Sequence, residues 1–131
     1  MRRTIYFTAF LLSFALSNNS FALCTNSWTQ VDPSEVLPDN TVCTSDSQEQ
    51  HRTTTEGDNL WDYKKGPSDP VDPTAPVGNW TATSTHVTYN YGGPDYTFIL
   101  RKDPSSNNYT FCEGPKDVDA TIISGIGGCG F

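Results

Sequence analysis

The chain has 131 residues, with 15 acidic against 8 basic side chains and a net charge of −7. That balance repels nucleic-acid phosphates and anionic lipid headgroups, which argues against nucleic acid or a membrane surface as a general partner. No apolar run reaches the roughly 20 residues that a membrane-spanning helix needs.

Residues 1–22 read as a signal peptide. Met1-Arg2-Arg3 is a short basic start, Thr4 to Leu16 is apolar, and Ser20 and Ala22 supply the small side chains expected before a cut after Ala22. A lipoprotein would carry a small residue before its cysteine, but Leu23 precedes Cys24, so lipidation is disfavoured. Arg2-Arg3 lacks the rest of a twin-arginine signal. The expectation is a secreted or periplasmic protein whose mature part, residues 23–131, forms a single small β-rich domain.

All four cysteines, Cys24, Cys43, Cys112 and Cys129, lie in that part. An even count in an exported chain implies two disulfides, with three possible connectivities. Local pairing, Cys24–Cys43 and Cys112–Cys129, is the expectation. Each bridge would close a loop of about 20 residues and contribute roughly 3 kcal/mol. No CxxC motif or zinc-like histidine spacing occurs, so no metal site is expected.

Residues 24–60 are polar and weakly patterned. "TSDSQEQHRTTTEGDN" offers little to bury and reads as a long loop, with a short edge strand at Arg52–Thr55. His51 falls in it and reads as solvated. "NLWDYKK" alternates and reads as a strand. A proline-rich strap follows over 66–78, where Pro67, Pro70, Pro73 and Pro76 recur every third residue, the period of a polyproline II helix. A stiff connector suits it better than a recognition ligand. Its aspartates lack the spacing of a calcium loop.

Residues 79–123 read as an antiparallel meander. "HVTYNYGGPDYTFILRK" places a turn at Gly92-Gly93-Pro94-Asp95. Tyr91 would then face Tyr96, Tyr89 would face Phe98, and Val87 would face Leu100. His86 would face Arg101 on the opposite side. "NWTAT" before it places Trp80 opposite Tyr89, and "NYTFC" after it places Phe111 opposite Phe98 and Tyr109 opposite Leu100. Trp80, Tyr89, Phe98 and Phe111 would share one face, as the period of two requires. A last strand is expected at Asp119–Ile123. The fold class is therefore all-β, a small antiparallel meander sheet or compact sandwich or barrel with two disulfides and long polar loops. The terminal Phe131 is similar to the aromatic end of outer-membrane barrels, but too few lipid-facing strands are evident.

The aromatic face reads as core rather than contact surface. Tyr91 and Tyr96 flank the turn and are the exceptions. With Trp61 and Tyr63 they are the candidate binding residues, since exposed Trp and Tyr dominate contact hot spots. Catalytic machinery is sparse: the two histidines, His51 and His86, are isolated, and no nucleophile motif occurs. Glu56, His86 and Arg101 are the one set able to supply a base, an acid and phosphate stabilisation. In size, acidity, tyrosine content and disulfides the chain resembles small exported microbial ribonucleases, although their N-terminal helix and catalytic strands have no counterpart here. The reading is a non-enzymatic binding module without cofactor, inhibitor-like, adhesin-like or an accessory subunit. Its expected partner is a protein or glycan of the envelope or extracellular space. A small hydrolase of ribonuclease type is the alternative.

Overall fold

A computed structural model of the chain describes residues 27–53, 57–62, 74–114 and 116–130. The strands are β1 (Thr29–Val31), β2 (Asn40–Cys43), β3 (Gln48–His51), β4 (Leu60–Asp62), β5 (Ala75–Ala82), β6 (Val87–Asn90), β7 (Asp95–Lys102), β8 (Asn108–Glu113) and β9 (Lys116–Ser124), with one helical turn, α1 (Pro33–Val36). Each strand from β2 onward pairs antiparallel with the next, and β9 returns to pair with β2, Val42 opposite Ile122. The result is a closed eight-stranded up-and-down barrel. Closure leaves the barrel without free edges, the main liability of small β domains. β1 adds to β7 through Val31 and Leu100, continuing the edge on which β6 pairs with residues 95–98.

The interior is one core. Leu60, Trp80, Val87, Tyr89, Leu100, Tyr109, Phe111, Ala120 and Ile122 are buried, and Phe98 packs against them. The expected aromatic face is therefore the barrel lining, with Tyr89 and Phe98 at 5.8 Å and Phe98 and Phe111 at 6.1 Å between ring centroids. Leu37, after α1, is fully buried, with Val31 and Val36 beside it, and fills the end where β2 begins. Asp32 caps α1 by accepting from Ser34 N at 2.8 Å.

The registers differ from expectation by two residues. Trp80 does face Tyr89, but Tyr89 faces Tyr96 and Val87 faces Phe98. Leu100 faces Phe111, and Lys102 faces Tyr109. Because Asp95 opens β7, the turn is Tyr91–Pro94. A shift of two preserves which face each side chain takes, so the core is as expected while the partners change. Arg101 faces Gln30 and Thr110, not His86.

Two larger corrections concern the polar segments. The expected loop over 24–60 contains β1 to β3 and α1, while the strand expected in "NLWDYKK" is β4. Of the edge strand expected at Arg52–Thr55, Arg52 and Thr53 are outside any strand and Thr54 and Thr55 lie outside the described residues; the strand just before them, Gln48–His51, is paired on both sides. The end of the expected strap, Ala75–Gly78, is strand paired with β4. Pro76 is tolerated there because the ladder is irregular between Leu60 and Trp61. The rest of the strap lies outside the described residues.

Among the described residues one disulfide joins Cys43 to Cys129, with Cα atoms 5.9 Å apart, in place of the two local bridges expected. The cause is the closure itself. β9 ends beside β2, Asn40 opposite Ser124, and Gly125 turns the chain back with a φ of 85°. The tail then crosses the outer face of β2. Thr41 Oγ1 donates to Gly125 O at 2.8 Å and accepts from Gly127 N at 3.2 Å, and Cys129 N donates to Gln48 Oε1. Cys129 therefore meets Cys43 rather than Cys112, which is itself oxidised.

Eight strands are enough for a membrane barrel, which removes strand count as an argument against one. The polarity of the wall bears on the question instead. Rows Thr81–Thr88–Thr97 and Asn79–Asn90–Asp95 cross the outer face of three strands, where a lipid-facing band would be apolar. No helix among the described residues is long and apolar enough to cross a membrane.

Non-reducing peptide mapping should recover Cys43 joined to Cys129. With that pair fixed, the remaining bridge should join Cys24 to Cys112. A Cys24–Cys43 peptide would contradict the tail's path over β2. Gly78 tests the wall: a Cβ there would run into the carbonyl of Asn90. Gly78→Ala should destabilise by roughly 1–3 kcal/mol. Gly93→Ala, with open space around it, should change stability by no more than about 0.5 kcal/mol. Equal effects in thermal melts would contradict the close crossing.

Candidate functional site

The end of the barrel opposite Leu37 is framed by two turns that their own side chains hold in shape. In residues 44–47, Thr44 Oγ1 accepts from Ser47 N at 3.0 Å and bonds Asp46 Oδ1 at 2.9 Å. In residues 91–94, the Asn90 side chain accepts from Gly92 N at 2.8 Å and donates to Gly93 O at 3.1 Å and Asp95 Oδ1 at 2.7 Å. Local side-chain bonds of this kind let short polar stretches hold a fixed turn.

Strand β3 leaves the first turn and β6 runs into the second, on opposite sides of the lumen with β4 and β5 between them. The period of two points Glu49 and His51 inward from β3 and Tyr89 inward from β6, with Tyr91 next in the same alternation. They pair across the lumen. His51 Nε2 bonds Tyr89 OH at 2.8 Å, deep in the core. Tyr91 OH donates to both carboxylate oxygens of Glu49, at 3.0 and 3.1 Å, nearer the mouth.

The proton positions on the deeper rung follow from chemistry. His51 Nδ1 lies 3.2 Å from Glu49 O, and a carbonyl oxygen only accepts. Nδ1 therefore carries the proton, Nε2 is bare, and Tyr89 donates to it. Burial pushes the imidazole down to about 3, against a weaker opposing pull from the Glu49 carbonyl. The ring is neutral at physiological pH, wedged edge-on to Trp80 at 5.0 Å between centroids.

Glu49 moves the other way. Burial raises its carboxyl to about 7; the Tyr91 hydrogen bond opposes this, and the charges of Asp62 and Asp46 reinforce it. Between Glu49 and the aromatic wall lies a cavity of about 160 Å³. Val42, Phe98, Phe111 and Val118 give it apolar sides, and Tyr89 and Tyr91 present rings and hydroxyls. Tyr89 and Tyr91 are stacked at 6.3 Å, and Tyr96 stands 6.3 Å beyond Tyr91. Among the described residues no Lys, Arg or His lines the cavity.

Of the four expected binding residues, Tyr91 and Tyr96 come together at this mouth, 44% and 39% exposed. Trp61 does not join them. It sits on the outer face under the Arg52 guanidinium, 4.1 Å from the ring centroid, and its indole N–H donates to Asp58 O at 3.0 Å. Tyr63 lies outside the described residues, as do Cys24 and Glu56. Of the catalytic set considered, His86 is in the turn before β6, bonded to Thr85 Oγ1 at 2.8 Å, and Arg101 donates to Trp28 O at 3.3 Å. His51 is not solvated as expected. It is wholly buried, with both ring nitrogens engaged.

Glu49 and His51 are the site residues that sequence reasoning missed. Their signal is faint: "QEQH" follows the turn-forming "TSDS" and alternates like a strand, but it contains no apolar residue. Among the described residues no cluster of His, Cys, Asp or Glu is arranged to hold a metal ion. Comparison with protein families, characterised proteins and solved structures finds no match for this chain.

The two rungs titrate in opposite senses. His51 has a folded value, about 3, below its unfolded 6.5. Its burial therefore contributes stability above 6.5 that is lost as pH falls toward 3. Glu49 has a folded value, about 7, above its unfolded 4.5. Its contribution is complete below 4.5 and is lost as pH rises through 7. Between 4.5 and 6.5 the unfolded state gains one proton at His51 and lacks one at Glu49, so the slopes cancel. Unfolding free energy measured with urea should be nearly flat over that range. Glu49→Gln should make it rise with pH by up to about 1.4 kcal/mol per unit. An unchanged slope in that variant would contradict the buried, proton-holding carboxyl.

Proposed function

We propose that the mature chain is an exported, non-enzymatic binding protein that holds a small ligand in the mouth of the barrel. The observation that carries this reading is the cavity between Glu49 and Phe98, Phe111 and Val118, at one end of a barrel whose other end is filled by Leu37. Eight-stranded barrels are wide enough to hold one small ligand. A few polar groups facing apolar walls are the usual composition of such sites. The volume suits a ligand of about one aromatic ring. Tyr91 and Tyr96 stand at the rim, where a ligand enters.

Export is supported by the basic and apolar start of the chain and its cleavage-like Ser20-Phe21-Ala22, together with a disulfide suited to an oxidising compartment. A catalytic role gains little from the site. Of the two carboxyls that line the cavity, Asp46 is bonded to Thr44 and Glu49 to Tyr91, and His51, two residues from Glu49, has both ring nitrogens engaged.

Three compounds sharing one ring, benzylammonium, benzyl alcohol and benzoate, probe the cavity by NMR chemical-shift titration. At least one should give saturable shifts centred on Glu49, Tyr91, Phe98 and Val118. Val118→Trp, which fills the cavity from its exposed rim, should abolish those shifts and keep the dispersed spectrum of the fold. No saturable shift with any compound would overturn the reading.

A further inference from the structure

We infer that the mouth of the barrel selects a small organic cation, an amine whose ammonium group sits on the Glu49 carboxylate while its apolar part packs on Phe98, Phe111 and Tyr89. This inference rests on the binding reading above and names the chemistry of its ligand.

Geometry supplies the first argument. Glu49 is the ionisable group at the base of the rim, and Tyr91 OH lies on its two oxygens at 3.0 and 3.1 Å. A carboxylate retains accepting positions beyond one donated hydrogen bond, so an ammonium can share it with Tyr91. The walls supply the second. Ring faces carry negative quadrupole charge and attract cations, most strongly when water is excluded. Tyr89, Tyr91, Phe98 and Phe111 place four such rings around one cavity.

Charge supplies the third. Among the described residues, the groups that act on Glu49 are Asp62 from β4, Asp46 from the turn before β3, and the hydroxyls of Tyr91 and Tyr89 on the β6 side. The charged ones are all acidic. The tyrosine hydroxyls stay protonated, because burial and the nearby carboxylate both raise them. An anionic ligand would meet repulsion, a neutral one would leave the carboxylate poorly solvated, and a cation would relieve both. An inorganic cation is a poor fit, because the described residues hold no cluster with metal-ligand geometry.

Binding is then linked to protons. The free carboxyl holds its proton up to about 7, for the reasons of burial and neighbouring charge given above. An ammonium binds the ionised form, so it displaces that proton. Affinity should fall as pH drops below 7, by up to about tenfold per unit for one competing proton.

The test is isothermal calorimetry with the three benzyl compounds on the full mature chain. At pH 8 benzylammonium should bind at least tenfold more tightly than benzyl alcohol, and benzoate more weakly than the alcohol. Between pH 7 and 5 benzylammonium should weaken progressively while benzyl alcohol stays level. At pH 6.5 its heat should vary with buffer ionisation enthalpy, reporting a released proton. Glu49→Gln should reduce the ammonium-to-alcohol ratio to threefold or less and remove the proton release. If that variant does not fold, the wild-type pH profile and proton release decide alone. Binding of the alcohol and the ammonium with equal affinity at pH 8 would overturn the cation assignment and leave the binding reading standing. A preference without proton release would overturn the role of Glu49. Failure of all three compounds would overturn both readings.

Discussion

Strand β3 must turn a glutamate and a histidine into the lumen of the barrel. A buried polar group without a partner costs several kcal/mol, so a strand of this composition can close the wall only if something across the lumen satisfies it. Strand β6 and the first residue of its turn provide that something. Tyr89 reaches His51 and Tyr91 reaches Glu49, two hydrogen bonds stacked at the spacing of alternate strand residues. Without them β3 would be better solvated outside, β2 would lose its partner, and β9 would have no strand on which to close.

The same constraint produces the site. A carboxylate hung on β3 and met by a tyrosine from the far wall leaves space between them and the aromatic lining. The upper rung is at the mouth and open to exchange. The lower rung is sealed, and its histidine fixes the ring of Tyr89 that forms part of the floor. On the proposed binding reading, the sealed lower layer holds the upper one in place for a ligand.

The meander was legible in the sequence because its inward residues are large and apolar and alternate strictly. Trp80, Tyr89, Phe98 and Phe111 line the lumen as their spacing requires. The exact partners were less legible, since a slip of two residues leaves every side chain on the same face. Strands β2 and β3 were illegible because their cues are non-local. Gln48 and Gln50 point outward and are nevertheless buried, the first against the C-terminal tail and the second accepting from Arg52 at 2.8 Å. Nothing near "QEQH" announces a cover supplied more than 80 residues away. The disulfide escaped for the same reason, since Cys43 and Cys129 meet only after β9 has closed on β2. Of the site, Tyr91 and Tyr96 were legible from their place beside a turn. Glu49 was not, because a polar residue in a polar run gives no sign of facing inward.

The central claim is that β2 and β3 are structural wall rather than mobile loop. Native-state hydrogen exchange, resolved by residue, tests it most directly. The account predicts that amides of Thr41–Cys43 and Gln48–His51 that bond across the ladder are protected to within about tenfold of those in β6 and β7, because a closed barrel opens as a unit. Exchange of β2 and β3 within the dead time, with β5 to β8 still protected, would contradict it and remove the strand that carries Glu49.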